Sequence, residues 1–373
     1  MSEWGEKTLG EVIDKFIDYR GKTPKKSQYG IPLVTAKIVK NGRILKPNEF
    51  INEKDYKNWM QRGYPEIDDV VLTTEAPVGE VALIKNKDIA LAQRIITLRS
   101  NPRILFSKFL KYYLQSDVGQ YKLESRASGT TVFGIKSSIL KEVPIPLPTL
   151  PEQKAIASVL SSLDDKIDLL HRQNKTLESM AVVIFRKWFI EDADDSWEEG
   201  KLGDIIKPQK GKNITKLQTI HGQYPVIAGG LSPSCYHNQC NTKSPVVTIS
   251  ASGANAGFVN LHFLPVWSSD SSFIDNSITD YVFFFYILLK SYQEEIYDQQ
   301  EGSAQPHIYP SHLMDLDIFK YNLTLIENYE AKVLHIFNKI SSNQKQIKTL
   351  ESLLNTLLPK LMSGSIRVKY EAS

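Results

Sequence analysis

The sequence predicts an α+β chain: two mixed α/β globular domains in tandem repeat, joined by two long antiparallel coiled-coil helices in a pseudo-two-fold arrangement. Three observations predict it. The chain matches itself in register, each copy ends in a heptad-spaced run, and the part before each run alternates strand-like segments with a helix-like one.

The repeat comes first. Trp4, Leu9, Gly10, Glu11, Val12 and Ile13 match Trp197, Leu202, Gly203, Asp204, Ile205 and Ile206 at an offset of 193. Ile31-Pro32-Leu33-Val34 matches Tyr224-Pro225-Val226-Ile227 at the same offset. Gly79, Val81 and Leu83 match Gly257, Val259 and Leu261 at 178, and from Gly129 the offset settles at 173. There Lys175-Thr176-Leu177-Glu178-Ser179 recurs unchanged as Lys348-Thr349-Leu350-Glu351-Ser352. The falling offset makes the second copy shorter, with its deletions in the globular part.

Each helical part carries a heptad seam. Ile156, Leu160, Leu163, Ile167, Leu170, Asn174 and Leu177 are spaced four and three apart, and the run continues through Ala181, Ile184 and Trp188. In the second copy Tyr329, Val333, Ile336, Ile340, Asn343, Ile347, Leu350, Leu354, Leu357 and Leu361 form the same seam. One asparagine per seam, Asn174 or Asn343, can fix register at some cost in stability. Pro151 suits a first helical turn and Gly364 a stop. A helix from Glu152 to Phe189 would be about 55 Å long at the α-helical rise. Two of them packed antiparallel would place a globular domain near each end, at a separation comparable to one or two turns of B-DNA, about 34 Å each.

In the globular parts, strand-like runs are Ile31–Ala36, Val70–Thr74, Glu80–Ile84, Ile95–Leu98, Val246–Ser250 and Gly257–Asn260. One helix is expected from Ser107 to about Ser125 and its match from Tyr281 to about Gln299, with Tyr112 and Tyr113 in the core. These readings set boundaries at 1–148, 149–192, 193–322, 323–364 and 365–373: domain, helix, domain, helix and tail.

These residues resemble the type I restriction-modification specificity (S) subunits. The likeness rests on the Trp-x4-Leu-Gly opening of each repeat, the Ala76-to-Ile84 turn, the run from Ser128 to Leu160 and the duplicated KTLES helix. It covers essentially the whole chain. It implies two target-recognition domains, each reading one half of a bipartite asymmetric site in double-stranded DNA. It also implies helices that set the spacer and dock two methyltransferase subunits, with restriction subunits joining that core. The second repeat departs from the pattern where Leu150-Pro151-Glu152-Gln153 becomes Leu323-Thr324-Leu325-Ile326, which weakens the start signal of its helix.

Composition agrees with a cytoplasmic protein and no membrane span: no run of eighteen apolar residues occurs, and the opening ten residues lack an apolar signal core. Charge is uneven. Residues 1–150 hold 24 Lys+Arg against 17 Asp+Glu, a net +7, whereas 196–324 hold 8 against 12, a net −4, with no arginine. No phosphate-cradling or dinucleotide glycine loop is present, nor an Asn/Asp-Pro-Pro-aromatic tetrad. The chain is therefore read as non-catalytic, with S-adenosylmethionine and ATP expected only on partner subunits. Cys235, His237 and Cys240 fall short of a four-ligand zinc site, so no metal is expected. Two other readings remain: a single-chain modification enzyme, which a methylation assay would reveal, and a coiled-coil scaffold without DNA contact, which footprinting would reveal.

DNA reading needs donors and acceptors on exposed loops, backed by cations. In the first domain Arg20, Lys22, Thr23 and Lys25 form a loop able to touch phosphates, or else a solvated turn. Thr35, Lys37, Thr74 and Glu75 close strands and could face a groove. Arg94 is the preferred guanine reader; a pairing with Glu75 or Glu80 stands beside that role. Ser128 and Thr130 sit in a small-residue loop suited to the backbone. In the second domain the available residues are Lys210, Lys212, Ser250, Ser252, Asn255, Gln305 and His307. Asn and Gln suit adenine, so a half-site richer in A·T pairs is expected. The basic first domain is expected to bind DNA more strongly by itself.

Overall fold

The structure, a computed structural model, describes residues 4–129, 133–194, 196–302 and 306–369. The chain divides into two compact units, residues 1–168 with 348–373, and residues 169–347.

In the first unit the strand Val70–Thr74 is buried at all five positions. Side chains of a strand alternate faces, so Val70 and Leu72 enter one core and Val71 another. That double burial is why the segment reads as a continuous apolar run. It lies in an antiparallel sheet ordered Ile13–Asp18, Ile95–Ser100, Val70–Thr74, Val78–Leu83. In a second sheet Ala90–Leu91 pairs parallel with Ile31–Val34. The expected single helix is two, Ser107–Gln115 and Asp117–Glu124. Ser116 divides them: its hydroxyl donates to the Tyr113 carbonyl at 2.7 Å and caps the second helix through Gly119 N at 3.3 Å.

The second unit repeats the plan. Its antiparallel sheet runs Gln209–Lys210, Ser271–Asp275, Val246–Ser250, Val259–His262, and Trp267–Ser268 pairs parallel with Tyr224–Ile227. Here too the expected helix is two, Val282–Ser291 and Gln293–Asp298, broken at Tyr292. The strand expected at Gly257–Asn260 starts later, at Val259, because Gly257 turns the chain at φ 85°.

The long helices are Leu150–Arg186 and Leu323–Met362. Within the first unit Ile156, Ala157 and Leu160, early in one, share a core with Leu361 and Met362, late in the other. Within the second unit Phe185, late in the first helix, meets Tyr329, early in the second, at 5.8 Å between ring centroids. Both pairings are antiparallel. Of the seam positions, Ile156, Leu160, Ile167, Leu170, Val333, Ile340, Asn343 and Ile347 are buried, and Leu163, Asn174, Leu177, Ile336, Leu350 and Leu354 are half-buried. Phe185, Phe189 and Phe337 lie off the seam yet are also buried, because each helix packs on a globular domain as well as on its neighbour. Asn343 is fully buried and donates to Asn174 Oδ1 at 2.8 Å, so the two seam asparagines partner each other.

The helix starts differ in a way that explains the family run. Gln153 is fully buried, accepts from Phe106 N at 2.8 Å and donates to the carbonyls of Ile104 and Pro148. Its neighbour Glu152 accepts from the Trp4 indole at 3.2 Å, tying the Trp-x4-Leu-Gly opening to the helix. The second long helix lacks both residues and is started instead by Asn322, whose Oδ1 accepts from Thr324 N at 2.8 Å. Gly364, at φ 69°, follows its last turn.

Candidate nucleic-acid interface

In the first unit three chain segments meet just past the end of Val70–Thr74. Thr74 N donates to the Arg94 carbonyl at 2.9 Å, and Ile135 N donates to the Thr74 carbonyl at 3.0 Å. Glu75 bridges Gly134, which also pairs with Ser128. Ala76 and Arg94 hold positive φ, 50° and 70°, without being glycine. Such backbone costs on the order of 1–3 kcal/mol and clusters where a side chain must be aimed. The Arg94 side chain is 51% exposed, with Nε 4.0 Å from the Glu75 carboxylate. An ion pair that open is worth little, so Arg94 is oriented by Glu75 and still available to a ligand. Thr23 joins the junction by donating its hydroxyl to Gln93 Oε1 at 3.2 Å.

The second unit builds the same junction from different side chains. Ala251 N donates to the Asp270 carbonyl at 3.1 Å, and Ile308 N to the Ala251 carbonyl at 2.9 Å. Ser252 bridges His307, which also pairs with Glu301. Strand pairing thus sets Glu75 against Ser252, Gly134 against His307 and Arg94 against Asp270. The Ser252 hydroxyl donates to the Asp270 carboxylate in a short hydrogen bond.

Several expected contact residues lie elsewhere. Arg20 binds Asp18 through Nε and Nη2 and donates Nη1 to the Ile135 carbonyl at 2.7 Å. It braces the junction instead of reaching outward. Thr74 and Ser250 are buried strand ends, because their strands lie between two cores; neither presents a hydroxyl to a groove. Lys22, Thr23 and Lys25 are exposed, as is Lys37, while Thr35 is half-buried at the end of Ile31–Val34. Ser128 is exposed at the base of its loop; Thr130 and Gln305 lie outside the described residues. Lys210 and Lys212 are exposed beside the second junction, where Gly211 N donates to the Ser271 carbonyl at 2.8 Å. Asn255 donates to the Gly229 carbonyl at 3.3 Å, and the His307 ring stacks on Tyr309 at 5.9 Å. Cys235 and Cys240 are free thiols, and the buried His237 uses Nδ1 on the Ile220 backbone.

Asp270 escaped the sequence reading. Its segment is one residue shorter than the Ala92-Gln93-Arg94 segment, and the only signal available is strand register. In each unit a backbone N–H anchors the start of the segment, Ala92 N on the Val34 carbonyl and Ser269 N on the Ile227 carbonyl.

Comparison with known proteins agrees with this duplicated geometry. The type I restriction modification DNA specificity domain matches residues 1–179 and again 194–352. The chain belongs to that family: it is a DNA-specificity subunit with two recognition domains in tandem, a non-catalytic component of a type I restriction-modification complex. Among its relatives is the specificity subunit of the restriction enzyme MjaIX from Methanocaldococcus jannaschii, 28% identical over 97% of this chain and 93% of that one. The MjaVIII specificity subunit of the same organism is 24% identical over 98% and 94%. The crystal structure of an S subunit from M. genitalium shares the fold, with a TM-score of 0.60 and 22% identity over 96% of each chain. No helix among the described residues is long and apolar enough to cross a membrane.

Proposed function

We propose that each recognition domain reads one half of a bipartite, asymmetric site in double-stranded DNA through the junction just described. The observation that carries this is the recurrence of one backbone junction, once per repeat, with different side chains at its tip: Glu75 and Arg94 in one, Ser252 and Asp270 in the other. A shared frame with unlike readers suits a site whose halves differ. Lys22 and Lys25 in the first domain, and Lys210 and Lys212 in the second, are the exposed cations for phosphates.

The length of the long helices sets the spacer, and their outward faces dock two methyltransferase subunits, with restriction subunits joining in the cytoplasm. Support for docking comes from Met180, Val182 and Val183, which are 49%, 42% and 65% exposed side by side on the first long helix. S-adenosylmethionine and ATP belong to the partners. Sequencing the methylated positions left by the assembled complex tests all of this. One asymmetric sequence in two parts with a fixed gap is expected; a continuous or palindromic site would overturn it, as would an unchanged gap after lengthening both helices by matched insertions.

A further inference from the structure

The position that carries Arg94 in the first junction carries Asp270 in the second. Their carbonyls accept the same backbone hydrogen bond, from Thr74 N and from Ala251 N. The side chain departing from that point is therefore a guanidinium in one domain and a carboxylate in the other. Each is steadied by its neighbour across the junction, Arg94 by Glu75 at 4.0 Å and Asp270 by the Ser252 hydroxyl.

A carboxylate facing DNA is repelled by phosphates and by the acceptor atoms of purine edges. It is stable only against a donor. In the major groove the donors are the exocyclic amines, cytosine N4 and adenine N6. Adenine sets its N7 acceptor beside that amine, whereas cytosine presents the amine without one, so a lone carboxylate favours cytosine. The phosphate repulsion is offset locally, because Lys210 and Lys212 are both exposed and flank Gly211, which bonds the Ser271 carbonyl next to Asp270.

We infer that Asp270 is a specificity-determining residue that accepts from a cytosine N4 amine in the second half-site, the electrostatic inverse of Arg94 in the first. This rests on the reading that each domain reads one half-site. The test selects DNA from a library randomised across both half-sites, using the full chain assembled with its methyltransferase subunits, and compares Asp270→Asn and Arg94→Gln with the parent.

The Asp270→Asn complex is expected to lose about 10- to 100-fold of its preference for cytosine at one position of the second half-site, the worth of one good base contact. Adenine should gain there, since an asparagine pairs with N6 and N7. The first half-site should be unchanged, and Arg94→Gln should alter it alone. Ser252→Ala, which leaves the carboxylate in place, should weaken the same cytosine preference by a smaller factor, so a misfolded Asp270→Asn would not shelter the idea. An unaltered second half-site overturns the inference if Arg94→Gln still changes only the first. A uniform loss of affinity for every sequence also overturns it, by making Asp270 a loop support. If neither substitution acts on one half-site alone, the half-site reading itself has failed.

Discussion

Helix Ser107–Gln115 in the first unit and helix Val282–Ser291 in the second each donate a tyrosine hydroxyl to a long-helix carboxylate, Tyr112 to Asp164 and Tyr286 to Glu178, but otherwise meet the long helices with different chemistry. The first inserts a lysine into its core: Lys111 is 5% exposed, and its ammonium lies 2.7 Å from Asp164. Tyr112 donates to the same carboxylate at 2.7 Å, and Arg43 reaches Asp168 at 2.5 Å and Asp164 at 3.7 Å. The second helix is buried at eight consecutive residues, Val282 to Leu289, and centres on Phe284. Rings of Phe185, Phe189, Phe285, Tyr321 and Tyr329 surround Phe284 at 5.1–6.1 Å. One fold thus closes the contact between this short helix and the long helices either with partnered charge or with stacked rings. A buried pair and a well-packed apolar substitute are often close in stability, but a half-removed pair is not.

Two substitutions should expose that difference. Phe284→Ala leaves a cavity among five rings and should cost about 3–5 kcal/mol. Asp164→Asn strands the buried Lys111 charge and should cost about 3 kcal/mol, towards the lower end for a broken buried pair. Hydrogen exchange on the intact chain should lose protection within residues 169–347 for the first and within 1–168 for the second. Loss spread evenly through both units would mean that they do not hold separate cores.

The caps on these two helices sharpen the comparison further. Gln153 caps the first, accepting from Phe106 N, and it is neutral. Glu330 caps the second, accepting from Phe283 N at 3.1 Å and Phe284 N at 2.7 Å. Burial pushes its carboxyl up to about 7, and the two N–H donors only partly oppose that. Between the ordinary carboxyl value and about 7, the folded protein keeps a proton that the unfolded chain has released. Glu330 therefore stabilises fully below pH 4.5 and loses that contribution as pH rises through 7. The change should be about 3 kcal/mol in denaturation midpoints converted to free energy. Glu330→Gln should remove the slope, while Gln153→Ala, which destabilises the first unit, should leave it. A slope that survives Glu330→Gln would place the titration elsewhere.

Sequence reasoning reached some of this and not the rest, for identifiable reasons. The duplication and both seams were legible because packing demands apolar residues at fixed spacing. Val70–Thr74 and Val246–Ser250 were legible because a strand buried on both faces needs an unbroken apolar run. The bond between Asn174 and Asn343 was not: the repeat aligns them with Ile347 and Leu170, and only antiparallel register brings them together. The break at Ser116 depends on one hydroxyl choosing a carbonyl and a cap. At the junctions, Thr74 and Ser250 looked like groove-facing hydroxyls because polarity at a strand end is visible and burial there is not. Asp270 sat in a serine-rich stretch without a recognisable pattern; its meaning came from the backbone bond it shares with Arg94.

The smallest expected effect concerns charge and bears on whether the basic first domain dominates DNA binding. Whole-domain totals favour it, +7 for residues 1–150 against −4 for 196–324. At the junctions the ranking is different. The first has Asp18 neutralising Arg20 and Glu75 beside Arg94. In the second, Lys210 pairs with Ser272 as Asp18 pairs with Ile96, so two exposed lysines stand where the first domain has an internal ion pair. Each junction then offers two free lysines to phosphates, Lys22 and Lys25 or Lys210 and Lys212. Replacing either pair with glutamine should flatten the logarithmic salt dependence of binding by the assembled complex by about 1–2, roughly one unit per lost phosphate contact. Equal flattening from the two pairs would mean that local charge at the junction governs binding. A large effect from Lys22 and Lys25 with none from Lys210 and Lys212 would restore the ranking by total charge, and would leave the second domain dependent on its partners to stay on DNA.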